Sequence, residues 1–451
     1  MFSAKYKKEI QLTVHLAIPI IIAQLGVVLM GVADNIMVGR ILGKTALGVS
    51  GLANSIAFMI GSIAVGGMAA VAPLVSKANA ENNPERIHSL FRALLWVAVG
   101  FSILLTGISL LAAQNFHLFG QPENINQLAG PFLTIISLSN IPLFLFVAAK
   151  QLSDGLGFTK VAMVITILGL GTNVVLNYLF MDGAGIMESM GVLGAAYATL
   201  LTRIVMMFAM LWYVRYHKRF AYYFQPAYFQ ASIKDLVRYL FKLSIPGGFQ
   251  FFFEIAAFAI AVIMMGWIGE NELAAHQVAI NIASTFYMMA SGIAFAGGIR
   301  VGDGRGLKSI DHIRTSGNVA VGLVTAFMTL TMLSMIFFDK QFISLYLNDQ
   351  EVTQIATKLL FIAAVFQLSD GLQVVALGNL RGLSDITIPT VITFVAYWVI
   401  ALPMGYILAF PLHFGAAGVW YGLLAGLTAS AILLLLRFYQ LIRKGVREEA
   451  A

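Results

Sequence analysis

The sequence predicts an all-α polytopic membrane protein: twelve transmembrane helices in two six-helix bundles, built as a parallel internal repeat. Three observations carry this. The chain is 59% hydrophobic and only 11% charged over 451 residues, where a soluble protein carries roughly a quarter charged residues. Its apolar runs are continuous rather than alternating, which excludes a membrane β-barrel in practice. The second half also repeats short patterns of the first at a nearly constant offset.

In chain order the apolar runs fall at 14–37, 46–74, 90–113, 126–150, 158–181, 190–213, 240–266, 276–300, 315–338, 353–380, 387–411 and 416–440. Each exceeds the roughly 20 residues that cross a bilayer as a helix. Two connections are long, 214–239 and 339–352, and the first divides the chain, so the expected domains are 1–225 and 226–451. The absence of cysteine excludes disulfides and thiolate metal sites. The formal charge of +7 does not signal nucleic acid, because the basic residues lie between the apolar runs, as membrane topology requires. The first run is too long for a cleavable signal and lacks a small-residue cleavage site.

With the N-terminus inside, alternate connections hold 23 Lys and Arg on the cytoplasmic side against 3 outside, namely Arg40, Lys44 and Lys340. Both termini are therefore expected in the cytoplasm. Arg203 and Lys358 fall within spans; Arg203 either pairs with a carboxylate or snorkels inward.

The repeat is seen where Leu16-Ala17-Ile18-Pro19 returns as Leu243-Ser244-Ile245-Pro246, Asn54 as Asn281, and Gly155 as Gly382. Val164-Ile165-Thr166 returns as Val391-Ile392-Thr393, and Gly191-x-x-Gly194-x-x-Tyr197 as Gly415-x-x-Gly418-x-x-Tyr421. Six helices per repeat make both halves enter the membrane from the same side. Parallel repeats of this kind build transporters with a site between bundles.

Residues with a dedicated task need not obey the repeat. Asp34, near the far end of helix 1, corresponds to Ala261, and Asn173 and Asn177 of helix 5 correspond to Ile400 and Met404. Thr199 of helix 6 corresponds to Leu423. In the other half, Glu254 and Asp370 correspond to Val27 and Leu143. Carboxylates inside a span are expensive and mark ion or substrate paths. Asp34 with Asn173, Asn177 and Thr199 forms a hard-oxygen set suited to a small cation or a proton. The bland readings are that Asp34 snorkels or caps a helix and that the asparagines glue helices together.

Glu254 and Asp370 lie near one depth. They can share a proton or hold a cation between them. Phe249, Phe251, Phe252, Phe253 and Phe366 surround them in sequence and suit flat organic cations, or else simply pack. His276 and Gln277 read as interfacial. Gly302-Asp303-Gly304-Arg305-Gly306 lacks the context of a P-loop and reads as a flexible turn. With no nucleotide-binding domain in evidence, an ion gradient is the simplest energy source.

At ADNIMVGRILG (33–43), Pro73 with its polar turn, IRVGDGRG (299–306), Glu254 and QLSDGLQVVALGNLRGLSD (367–385) the chain resembles the multidrug and toxic compound extrusion (MATE) family, in its NorM-like branch. The resemblance implies two bundles forming a V that alternates between outward- and inward-facing states. It implies exchange of cationic or amphipathic organic compounds for Na+ or H+, with no cofactor and no enzymatic activity. It places cation or proton binding at Asp34, Asn173, Asn177, Thr199, Glu254 and Asp370. A sodium ion, if that is the coupling ion, would sit at Glu254, Asp370 or Asp34. Cargo contacts are expected at Asp34, Gln250, Phe253, Asn281 and Phe366. Two departures stand out: Phe366 occupies a position where such proteins can carry tyrosine, and Asn177 one where some carry aspartate. The expected setting is a bacterial inner membrane and the expected state a monomer, with drugs, the coupling ion and lipid as partners and no nucleic acid. The alternative within the same plan, a flippase for a lipid-linked precursor, would need several cations lining the cavity. A membrane enzyme would need a His/Glu metal motif or Ser/Lys dyad that the spans lack.

Overall fold

The computed structural model describes residues 4–119, 123–183, 188–226, 228, 232–346 and 349–450. Among these described residues are twelve helices long and apolar enough to cross a membrane. They are α1 (Ala4–Leu42), α2 (Thr45–Ala80), α3 (Pro84–Gln114), α4 (Ile125–Gly155), α5 (Thr159–Asp182) and α6 (Gly191–Tyr216). The second six are α7 (Lys234–Ile268), α8 (Glu270–Gly306), α9 (Ile310–Phe337), α10 (Gln350–Gly382), α11 (Thr387–Ala409) and α12 (Gly415–Gly445). The helices outrun the apolar stretches at their ends because caps and short polar turns continue them. Asn83 accepts from the Arg86 amide at 2.9 Å ahead of α3, and Ser309 accepts from the His312 amide at 3.2 Å ahead of α9. Each satisfies one orphan donor of a first turn.

Packing divides the chain into two units, Ile22–Gly248 and Met1–Ile21 with Phe249–Ala451. The long connection suggests a cut at 225; the packing division falls inside α1 and α7, the first helix of each repeat. The physical reason is visible in each unit. In the first, the early part of α7 packs on α2 and α3: a Cβ on Gly67 would lie 2.5 Å from the Ser244 carbonyl oxygen, and one on Gly100 would lie 2.5 Å from the Phe241 ring. In the second, the early part of α1 is tied to α8 and α9 by a charged network. Arg300 donates through Nε and Nη2 to the two oxygens of Glu9, each at 2.8 Å, and through Nη1 to Asp303 at 2.6 Å. Ser316 donates to Glu9 at 2.9 Å. Gly302–Gly306, expected as a flexible turn, belongs to the end of α8.

The internal repeat is structural as well as textual. A Cβ on Gly155 would meet the Ala72 carbonyl at 2.5 Å and Val75 at 2.7 Å; one on Gly382 would meet the Gly298 carbonyl and Val301, both at 2.7 Å. Both positions require glycine because α4 lies against α2, and α10 against α8, at backbone contact. Gly191 and Gly415 open α6 and α12 with φ of 57° and 58°, a left-handed conformation that glycine adopts without steric cost.

Each unit has its own apolar core. Phe144, Leu94 and Leu90 anchor the first; Trp420, Phe366 and Tyr397 anchor the second. Large apolar side chains also face outward, such as Ile103 and Phe337 at 72% exposure and Trp212 at 66%. Water would not tolerate that many, whereas acyl chains are their natural surroundings.

Candidate cation and cargo sites

The first unit brings together all four polar residues expected there. Asp34 on α1 accepts from Asn177 Nδ2 of α5 through Oδ1 and from the Thr199 hydroxyl of α6 through Oδ2, the latter at 3.3 Å. Asn177 Nδ2 also donates to Asn173 Oδ1 at 3.2 Å, which the one-turn spacing on α5 permits. Both asparagines are fully buried; Asn173 also stands within hydrogen-bonding range of Asp34, and among the described residues Asn177 Oδ1 has no partner. Such an orphaned polar atom is costly unless a ligand uses it. Arg203, one turn beyond Thr199, lies within electrostatic reach of Asp34. Its Nη1 donates to Ser139 Oγ at 2.6 Å and Asn140 Oδ1 at 3.4 Å, at the break in α4 between Leu138 and Asn140.

The second unit gathers Glu254 and Asp370, both buried and close enough to repel each other. The Tyr287 hydroxyl of α8 approaches the Glu254 carboxylate, and Tyr397 of α11 feels both acids. Gln373 Nε2 donates to the Tyr397 hydroxyl at 3.0 Å. Tyr397 lies in a π-helical segment, Val395–Ala401, a local widening often found at functional positions. Among the described residues Asp370 Oδ1 has no donor. Arg381 completes the set: it is buried, lies 5.2 Å from the Phe251 ring centre, and donates through Nη2 to Gln250 Oε1 at 3.3 Å. Gln250 is one turn before Glu254 on α7, and Arg381 is within electrostatic reach of that acid.

Several expected residues sit differently. Phe366 is core, edge-on to Phe258 and Trp420. Phe253 packs against Phe394 and Trp398, and its carbonyl accepts from the Trp398 indole at 3.1 Å. Asn281 is exposed and hydrogen-bonds to neither acid. His276 is buried against Trp420 rather than interfacial, and Lys358 is exposed.

Sequence reasoning missed Tyr287, Tyr397, Gln373 and Arg381, and it counted Arg381 as a cytoplasmic charge. A signal existed on α10: Asp370, Gln373 and Arg381 are spaced three and eleven apart, which places them on one helical face. Phe366 supplies no oxygen, and the phenols of Tyr287 and Tyr397 surround the acids instead. Among the described residues no three of His, Cys, Asp or Glu converge as a metal-ligand set. A cation at the second cluster would rest on two carboxylates with phenol and amide oxygens, which suits a hard monovalent ion rather than a transition metal.

Comparison with known proteins places these clusters in context. The MatE family model matches residues 19–179 and 246–407. The chain is 33% identical to the probable multidrug resistance protein NorM of Acinetobacter baylyi over 97% of each chain. It is 33% identical to the multidrug resistance protein MdtK of Yersinia pseudotuberculosis over 96% of each. Among solved structures it is similar to an outward-facing multidrug resistance MATE family transporter of the MOP superfamily, with a TM-score of 0.87 and 21% identity over 97% of this chain and 96% of that one. The eukaryotic MATE transporter AtDTX14 aligns with a TM-score of 0.85 and 19% identity over 99% of this chain and all of the other.

Proposed function

We propose, from the premise that this chain belongs to the MatE family, that it is a secondary active multidrug antiporter exporting cationic or amphipathic organic compounds in exchange for Na+ or H+. It is a multi-pass membrane protein and not an enzyme. The observation that carries the reading is the pair of buried acids Glu254 and Asp370, one oxygen of which has no donor among the described residues, inside a chain of this family. A burial this costly is retained where a mobile cation or proton neutralises it in turn.

Glu254, Asp370, Tyr287 and Tyr397 offer oxygens to a monovalent ion, and Asp34 with Asn173, Asn177 and Thr199 offers a second station. Occupation of either changes the balance of conformations. Cargo and ion that favour opposite states then exchange, because coupling between two ligands is reciprocal. The excess of Lys and Arg in alternate connections supports cytoplasmic termini in a bacterial inner membrane, and the chain is read as a monomer. A flippase for a pyrophosphate-linked precursor is less well supported, since Arg203 and Arg381 lie in different units and each stands near a carboxylate.

The test is efflux of a fluorescent organic cation from vesicles with Na+ and pH gradients imposed separately. One gradient should drive efflux, and Asp370→Asn or Asp34→Asn should abolish the dependence. Unchanged efflux in both variants removes the coupling claim.

A further inference from the structure

The second unit holds a buried charge with fewer bonds than its burial demands. The Arg381 guanidinium carries five N–H donors. Among the described residues it makes one hydrogen bond, from Nη2 to Gln250 Oε1 at 3.3 Å, and its buried Nε has no partner. The Phe251 ring centre lies 5.2 Å from the guanidinium carbon. Gln250 Nε2 is likewise buried and unpartnered among the described residues.

A charge taken out of water is costly unless an ionic partner and hydrogen bonds both meet it. An arginine kept only to fasten α7 to α10 would spend more of its donors, on a carboxylate or on backbone carbonyls. Arg381 spends one, on a neutral amide. The acid it could pair with lies on the same face of α7. Glu254 follows Gln250 by four residues, which sets their Cβ atoms roughly 6 Å apart. It is within electrostatic reach of the guanidinium but not bonded to it. Asp370 is out of range: it stands eleven residues before Arg381 on α10, a rise of roughly 16 Å.

We propose that Arg381 is a tethered counter-cation that competes with the coupling ion for Glu254. Its guanidinium rests on Gln250 while the ion occupies the carboxylates, and it moves one turn along α7 to Glu254 when the ion departs. The structure shows the Gln250 position. The proposal rests on the export reading above and assigns a residue to its ion-release step. Its logic is charge balance. Departure of the ion would strand an ionised carboxylate in a region of low dielectric, and the guanidinium supplies a partner at once. The ion is also held less tightly than the carboxylates alone would hold it, as an exchanger requires, because an ion that never leaves drives no cycle. Arg381 acts through Glu254 and is a positioning residue.

The test is efflux of a fluorescent organic cation from vesicles holding the full chain. The readout is the half-saturating concentration of whichever ion, Na+ or H+, drives efflux in the wild type. Arg381→Met removes the competitor, so that concentration should fall about tenfold, equivalent to about 1.4 kcal/mol. The maximal rate should fall with it, because ion release slows. Gln250→Leu removes the resting partner and releases Arg381 to Glu254, so the half-saturating concentration should rise several-fold. The double variant should match Arg381→Met alone. A side chain that merely fastened helices would reduce the yield of folded protein without moving the two values in opposite directions, and a fixed charge would leave Gln250→Leu at the wild-type value. An unchanged or raised value in Arg381→Met overturns the proposal, as does an unchanged or lowered value in Gln250→Leu, while the export reading stands. If Arg381→Met does not fold, the result for Gln250→Leu decides alone. Wild-type efflux that follows neither gradient fails the export reading, and this proposal with it.

Discussion

Gly378 fixes how closely α8 and α10 approach, and replacing it with alanine should cost the second unit about 3 kcal/mol. A Cβ there would lie 2.2 Å from the Ala294 carbonyl oxygen, with the Ala294 carbonyl carbon at 2.9 Å and Cα at 3.2 Å. Ordinary contact begins at 3.4 Å, so the two backbones must part by about 1 Å along this line. The obstacle is main chain of an unbroken helix, which cannot rotate aside as a side chain would. Parting also loosens the neighbouring contacts of Gly298 and Gly382, which use the same seam. For a unit of roughly 220 residues, 3 kcal/mol corresponds to a fall in melting temperature of about 6–12 °C. The assay is thermal unfolding of the purified protein in detergent, with Gly322→Ala on α9 as control, because a Cβ at Gly322 meets nothing within 4 Å. The control should be neutral or gain up to about 1 kcal/mol from helix propensity. Because Asp370 lies two turns before Gly378 on α10, ion-driven efflux should also fall. Melting of Gly378→Ala within 2 °C of the wild type (roughly 1 kcal/mol or less) would refute the claim that this seam is closed by backbone contact.

Glu9→Gln removes the negative charge that Arg300 binds with two donors, leaving Asp303 as its one acidic partner among the described residues beside His312 at 3.2 Å, and should cost about 2 kcal/mol, less than the loss of a fully buried pair. Glu9→Gln with Arg300→Met should cost less than the two single changes summed, read by the same melting assay; strict additivity would mean the residues do not act as a pair. Gly415→Ala forces alanine to φ near 58° and should cost about 1 kcal/mol, again visible in melting temperature against Gly322→Ala. Tyr287→Phe removes the hydroxyl that approaches Glu254 and should weaken the half-saturating concentration of the coupling ion about tenfold, or about 1.4 kcal/mol, without loss of folded protein. An unchanged ion dependence of efflux would remove Tyr287 from the coordinating set.

The sequence by itself determined a great deal here, because the bilayer imposes so few solutions. Twelve apolar runs can only be helices when lipid offers no hydrogen bonds to the backbone, and the described residues form twelve such helices. The recurrence of Gly155 at Gly382 and of Gly191 at Gly415 announced the repeat, since each glycine answers a steric demand made identically in both halves. The acids that break the repeat stood out for the same reason: a charge at those depths is costly.

What the tertiary structure alone decided is which side chains share a space. Nothing in the run of α7 or α1 says that its first turns pack with the other half's helices, because that depends on backbone seams at Gly67 and Gly292 and on the Glu9–Arg300 pair. Arg381 read as a charge in a connection, yet its side chain lies buried against Phe251 and reaches Gln250 on another helix. Arg203 read as a charge without an assignable partner, and only the break in α4 shows what holds it off Asp34. Periodicity along one helix fixes the face a residue occupies; the partner across that face comes from a remote part of the chain, and it is set by packing that no local pattern records.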